Sequence, residues 1–107
     1  SSVVGLSRGR LASGSLDKCV KVWDVEAGSC IATLEGHNDA VLSVTALDGG
    51  KLASGSDDRS IRLWDPQLGA CIRTLVGHSG PVWSLANLGG ALHRHNDGAK
   101  RLGAVRC

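Results

Sequence analysis

The sequence predicts an all-β fold made of repeated, four-stranded antiparallel sheets. Three observations predict it: the chain repeats with a period of 41 residues, short β-branched runs alternate with turn residues, and no window carries a sustained helical stripe. Aromatic residues make up only 3% of the chain, and all of them are Trp. Val, Leu, Ile and Ala must therefore build the core, which suits pleated sheets joined by glycine turns.

The repeat consists of separate motifs that recur in register. Three of them are offset by 41 residues: Leu-Ala-Ser-Gly-Ser at 11–15 and 52–56, Trp-Asp at 23–24 and 64–65, and Gly-His at 36–37 and 77–78. Between residues 11–47 and their partners, 18 of 37 positions are identical without a gap. Such a period indicates one supersecondary unit stacked on its copies.

Each strand of the second repeat is predicted from its own run of residues. Turn residues rich in Asp, Gly and Pro separate four extended runs, at 41–47, 51–55, 60–64 and 70–75. In the third run Ile61 and Leu63 alternate with Arg62, which is the period of a strand with unlike faces. One repeat is therefore predicted to be a four-stranded antiparallel meander.

The charge pattern excludes some classes of function. The chain has 12 basic and 10 acidic residues, and four of the basic residues lie in 93–107 against one acidic residue. Residues 1–92 therefore carry a net charge of −1, which does not predict specific nucleic-acid binding. The sequence also lacks the roughly 18 consecutive apolar residues of a membrane helix, so no membrane span is expected.

The cysteines predict a reducing compartment. No Cys-x-x-Cys pair occurs among the four cysteines, at 19, 30, 71 and 107. We therefore expect an intracellular protein of the cytoplasm or nucleus, with Cys30 and Cys71 as small buried apolar side chains. His93, His95 and Cys107 lack a fixed scaffold and a fourth ligand, so neither a metal nor a cofactor is expected.

The Gly-His turns, the Leu-Ala-Ser-Gly-Ser-x-Asp stretches and the Trp-Asp pairs resemble the WD-repeat β-propeller family over residues 3 to about 92. The resemblance implies a partial propeller over 1–92. Its parts are a first blade that is partial at its start (1–36), a complete second blade (37–77) and the start of a third (78–92). Propellers have about 4 to 8 blades, so this arc is expected to be open. It is then a piece of a longer protein or completes a ring by self-association.

The resemblance also implies a buried hydrogen-bonded chain within each blade. Its members here are His37, Ser54, Asp58 and Trp64 in the second repeat, Ser13, Asp17 and Trp23 in the first, and His78 in the third. Ser, His and Asp could instead form a nucleophilic triad. Because these residue types recur with the strands and no Gly-x-Ser-x-Gly elbow is present, the structural role is favoured and no catalysis is expected.

The resemblance implies a scaffold that binds other proteins through one end of the blades. The candidate contact residues are Leu16, Asn38, Asp39, Asp57 and Ser79. A substrate-receptor subunit of a ubiquitin ligase or the propeller of a signalling protein fits equally well. From a different class, the chain could be a non-functional, truncated or frame-shifted remnant of a propeller gene.

The pattern stops after Leu92, and 93–107 is expected to be an irregular basic tail. His-Arg-His-Asn follows Leu92, whereas Ala-Ser-Gly-Ser follows Leu52. The bases that encode Leu-His-Arg-His can encode Leu-Ala-Ser-Ala in a shifted frame, so a reading-frame change is one hypothesis. A genuine basic tail is the other.

Overall fold

The computed structural model describes residues 2–87 and the backbone of 102–106. It confirms the predicted all-β fold of antiparallel four-stranded sheets. The first sheet contains β1 (Ser2–Leu6), β2 (Arg10–Gly14), β3 (Cys19–Asp24) and β4 (Ser29–Glu35), in that order. The second contains β5 (Val41–Ala46), β6 (Leu52–Ser56), β7 (Ser60–Asp65) and β8 (Ala70–Val76). Over the described residues, no helix is long and apolar enough to cross a membrane.

The strand order places the connections between β1 and β9 at one of two ends. The turns at 15–18 and 57–59 lie at one end with the connections 36–40 and 77–83, and we call this the histidine end. The turns at 7–9, 25–28, 47–51 and 66–69 lie at the other, which we call the glycine end. Glycines with left-handed φ values occupy each of these four turns: Gly9, Gly28, Gly49, Gly50 and Gly69.

The core lies between sheets that are stacked face to face. One face of the first sheet contributes Ala12, Val20 and Val22, which pack against Leu52 and Trp64 of the second sheet. The opposite face of the second sheet forms a second apolar cluster around Ala53, Ile61, Leu63 and Val82. In β3, Val20 and Val22 are buried on either side of the half-buried Lys21, as the predicted period requires. In β7, Ile61 and Leu63 are likewise buried around Arg62, but Ser60 and Trp64 on the opposite face are buried too, because this sheet is covered on both faces.

Neighbouring sheets are joined by the same contacts in successive repeats. The backbone N–H of Val41 donates to Ser15 O at 2.9 Å, and that of Val82 donates to Ser56 O at 2.9 Å. Beside these bonds, a Cβ on Gly14 would lie 2.5 Å from Val41 Cγ1, and one on Gly55 would lie 2.5 Å from Val82 Cγ1. The glycine of Leu-Ala-Ser-Gly-Ser therefore permits the close approach of the next sheet.

The expectation of an irregular tail is wrong for its last part. Residues Leu102–Arg106 form strand β10, which pairs antiparallel with β9 (Ser84–Asn87). The physical reason is that β9 would otherwise present a row of unpaired backbone N–H and C=O groups, which a neighbouring segment can satisfy. Residues 88–101 and 107 lie outside the described residues, and with them the end of the predicted start of a third blade and the candidate ligands His93, His95 and Cys107.

The expected burial of two cysteines is also wrong. Cys30 is exposed and Cys71 is only half-buried. Each lies opposite the Trp of its repeat, at a β-bulge in the last strand of its sheet. Because that strand is the edge of its sheet among the described residues, Cys30 is exposed, whereas Cys71 is half-buried and packs against the edge of the core between the sheets.

Candidate functional site

Four side chains of the second repeat form a continuous buried hydrogen-bond chain. The indole N–H of Trp64 donates to Ser54 Oγ at 2.7 Å, and Ser54 Oγ lies 2.6 Å from His37 Nε2. His37 Nδ1 lies 2.8 Å from Asp58 Oδ2. Since an indole can only donate and a carboxylate can only accept, the protons are ordered along the chain from Trp64 to Asp58.

The chain connects three structural elements. Ser54 and Trp64 lie on the paired strands β6 and β7, whereas His37 lies in the connection that follows the first sheet. Asp58 lies in the turn between β6 and β7. The chain therefore holds the 36–40 connection against the middle of the second sheet, and each buried polar atom avoids a penalty of about 1–3 kcal/mol.

The Asp58 carboxylate also accepts hydrogen bonds from groups other than His37. The Ser60 hydroxyl donates to Oδ1 at 2.5 Å and the Ser60 N–H at 2.9 Å, while the N–H of Asn38 donates to Oδ2 at 2.9 Å. Ser60 is buried and is the member of this site that sequence reasoning missed. The signal that could have found it is its position two residues after the Asp, where a Ser often closes an Asx turn.

Burial and hydrogen bonding set the protonation of the pair. Burial lowers the pKa of His37, and this outweighs the Asp58 carboxylate, which acts to raise it. Burial acts to raise the pKa of Asp58, but the donors from Ser60, Asn38 and His37 hold that pKa well below its ordinary value. The pair therefore consists of a neutral imidazole with its proton on Nδ1 and an ionised carboxylate.

This geometry is suited to holding a turn and poorly suited to nucleophilic attack. Ser54 is fully buried, and its oxygen is engaged by both Trp64 and His37. A nucleophilic serine needs an open side on which a substrate carbonyl can approach. Within the described residues, no group of three His, Cys, Asp or Glu side chains is placed to hold a metal ion.

The first repeat contains part of the same buried hydrogen-bond chain. Trp23 Nε1 donates to Ser13 Oγ at 2.9 Å, and Asp17 Oδ1 accepts the N–H of Cys19 at 3.2 Å. Cys19 occupies the position of Ser60, so the second repeat's hydroxyl donor is here a thiol, whose pKa is raised by burial and by Asp17. The third repeat contributes His78, which is half-buried at the histidine end.

The five candidate contact residues all lie at the histidine end. Four of them are exposed, namely Leu16, Asn38, Asp39 and Ser79, and Asp57 is half-buried. Backbone bonds tie these turns together, since Asp57 N–H donates to Ala40 O at 3.0 Å. Leu16 stands out because its side chain is apolar and 72% of its surface is exposed.

A family model described as WD40, the WD domain or G-beta repeat, matches residues 1–24, 28–65 and 69–98. These segments cover most of the chain and contain the recurring Trp-Asp and Gly-His motifs. WD40 repeats generally act as non-catalytic scaffolds for protein–protein interaction. With its stacked four-stranded sheets and its repeated Ser–Trp contact, this chain belongs to the WD-repeat family.

Proposed function

We propose that this chain is a non-catalytic scaffold for protein–protein interaction and that the histidine end is its contact surface. The observation that carries the proposal is the combination of a buried chain with an exposed rim. Asp58 anchors both its own turn and the N–H of Asn38, while Leu16, in the 15–18 turn at the same end, is exposed. A rigid surface of this kind binds without the entropic cost of ordering loops.

Affinity capture from a cell extract, followed by quantitative mass spectrometry, tests this proposal. We expect Leu16→Glu to lower the amount of captured partner protein at least tenfold, because a charge would replace an exposed apolar contact. Leu68→Glu is the matched control, since Leu68 is 77% exposed but lies at the glycine end. Partners lost equally with both variants, or with neither, would contradict a contact surface at the histidine end.

Two more specific roles are consistent with this scaffold, and the captured partners distinguish them. A substrate receptor is expected to bring down other subunits of a ubiquitin ligase, whereas a signalling subunit is expected to bring down receptors, kinases or small GTPases. The alternative of a non-functional remnant predicts a chain without a cooperative fold. A single sigmoidal thermal transition in circular dichroism would argue against that alternative.

Self-association that completes a ring belongs to the same proposal. Leu11, Ser13 and Trp23 are half-buried on the outer face of the first sheet, whereas their equivalents Leu52, Ser54 and Trp64 are fully buried. A second copy that stacks its own outer sheet there would remove this apolar surface from water. We further propose an intracellular location, in the cytoplasm or nucleus, which microscopy of a fluorescently tagged chain tests.

A further inference from the structure

A cleft at the glycine end separates the first and second sheets. Its volume is about 530 Å³, within the range of about 300–1,000 Å³ that is typical of ligand sites. Leu6 of the first repeat and Ala46 and Pro66 of the second are half-buried and contribute apolar surface to it. Val22 and Leu47 also line the cleft, but they are only 2% and 8% exposed. Arg8, Arg10 and Lys51 contribute positive charge. The cleft lies at the opposite end of the sheets from the contact surface proposed above.

The charges of this cleft are only partly compensated. Lys51 Nζ lies 3.6 Å from Asp65 Oδ2, so these two lining residues neutralise each other. Arg8 and Arg10 are exposed, and within the described part of the chain neither forms an ion pair. Asp24 is the cross-strand neighbour of Arg10, but its Oδ1 accepts the N–H of Ala27 at 3.1 Å. The cleft therefore presents two guanidinium groups that form no ion pair with the described residues, and the carboxylate nearest to Arg10 along the strand pairing is that of Asp24.

Arg8 has a left-handed backbone conformation at a turn position where the second repeat has a glycine. Arg8 has a φ of 64°, in the left-handed region, and its equivalent 41 residues later is Gly49, with a φ of 75°. A side chain in that region is strained, and glycine avoids this strain because it has no Cβ. Lys18 and Arg59 also have left-handed φ values, but they occupy equivalent turn positions in both repeats. Of these three residues, only Arg8 stands where the other copy has a glycine, and Arg8 lines the cleft.

From this cleft we propose a binding site for an acidic peptide segment of a partner protein. A Glu or Asp carboxylate would pair with the guanidinium groups of Arg8 and Arg10. An adjacent apolar side chain would pack on the half-buried Leu6, Ala46 and Pro66. This inference deepens and rests on the proposed scaffold role, because it assigns a class of partner to a second surface of the same chain.

Fluorescence anisotropy with a labelled peptide of alternating Glu and Leu residues tests the site on the full chain. We expect saturable binding that weakens with salt and that falls at least tenfold for the same peptide with Gln in place of Glu. Arg8→Gly should weaken binding severalfold, and the Arg8→Gly, Arg10→Gln double variant at least tenfold. Glycine relieves the backbone at residue 8, so misfolding would not explain this loss.

Arg59→Gly is the matched control, because Arg59 is an exposed arginine with a left-handed φ of 72° at the histidine end. It should bind the peptide like the unmodified chain. Equal binding of the Glu and Gln peptides, or unchanged binding by the double variant, would overturn the proposal. Full competition by millimolar inorganic phosphate would also overturn it, since the cleft would then be a simple anion site.

The proposals for the two surfaces can be contradicted independently of each other. If the peptide does not bind but Leu16→Glu still removes captured partners, the cleft proposal is wrong and the scaffold role stands. If the peptide binds through Arg8 and Arg10 but no partner depends on Leu16, the contact surface at the histidine end is wrong and the cleft stands.

Discussion

At the scale of single residues, two buried serines, one with hydrogen-bond partners for its hydroxyl and one without, show what the hydrogen-bond chain contributes. The Ser54 hydroxyl contacts both the indole of Trp64 and the imidazole of His37. The Ser43 hydroxyl is also buried, but it has no hydrogen-bond partner among the described residues. The two side chains are therefore chemically identical and energetically different.

We expect Ser54→Ala to lower the free energy of unfolding by about 2–4 kcal/mol, because it leaves two buried polar groups unpaired. Ser43→Ala should be neutral or stabilise the chain by about 1 kcal/mol, since it removes an unpaired hydroxyl. Urea denaturation followed by Trp fluorescence measures both values. Equal effects of the two substitutions would show that the hydrogen bonds that link Trp64, Ser54, His37 and Asp58 do not contribute to stability.

The His37–Asp58 pair of this hydrogen-bond chain predicts that the stability of the fold depends on pH. The pKa of His37 is lowered in the folded state, so the unfolded chain binds a proton first as the pH falls below about 6.5. The pKa of Asp58 is also lowered on folding, so its contribution is present above about pH 4 and is lost as the pH falls further. Both groups therefore destabilise the fold on acidification.

Unfolding free energies measured from pH 7 to pH 5 test the histidine part of this prediction. We expect stability to fall over that range and His37→Gln to flatten the dependence, because Gln does not titrate. Arg59→Gln is a control that should keep the slope. An unchanged slope in His37→Gln would mean that another group is responsible for the pH dependence.

At the scale of elements, the sheets are held together where β2 and β6 meet the start of the next sheet. Gly14 and Gly55 are each approached by a valine side chain of the following repeat. The adjacent backbone bonds from Val41 and Val82 are equal in length, at 2.9 Å. The repeated motif therefore encodes the contact between sheets as well as the strands.

We expect Gly14→Ala to cost about 1–3 kcal/mol, because its methyl group would overlap Val41 and force the two sheets apart. Gly5→Ala is the matched control, since Gly5 lies in β1 and nothing is within 4 Å of an added Cβ there. Thermal unfolding by circular dichroism compares the two variants. A Gly14→Ala chain as stable as Gly5→Ala would contradict the close contact.

At the scale of the whole molecule, the two sheets differ in what covers them. The second sheet has a neighbour on each face, whereas the outer face of the first carries Leu11 and Trp23 half-buried and Val3 exposed. Side chains at equivalent positions thus have different environments in the two repeats. Stacking, rather than residue type, determines how much of each is buried.

Light scattering behind a sizing column tests self-association through this face. We expect a discrete oligomer that Leu11→Arg shifts toward the monomer, because the charge would face the apolar side of a second copy. Leu68→Arg lies at the glycine end and should leave the mass unchanged. A monomeric unmodified chain, or an oligomer that persists in Leu11→Arg, would show that this face is not the one that associates.

Much of the fold and of the buried hydrogen-bond chain could be predicted from the sequence, because the motifs that specify them are local and occur in both repeats. The alternation around Ile61 and Leu63 sets the faces of β7, and turn residues set where the strands end. The motif that the sequence shares with its family indicated that His37, Ser54, Asp58 and Trp64 would act together. Each of these inferences depends on spacing along the chain, which a repeat makes visible.

Only the tertiary structure decided which groups meet across different elements. Ser60 joins Asp58 because the turn folds its hydroxyl back, and Cys30 is exposed because its strand is a sheet edge. The cleft at the glycine end exists because two hairpins of adjacent sheets leave space between them. The sequence by itself determined the strands and their repetition, since local sterics and alternation specify them. Burial, edges and clefts arise from stacking, which no single repeat contains.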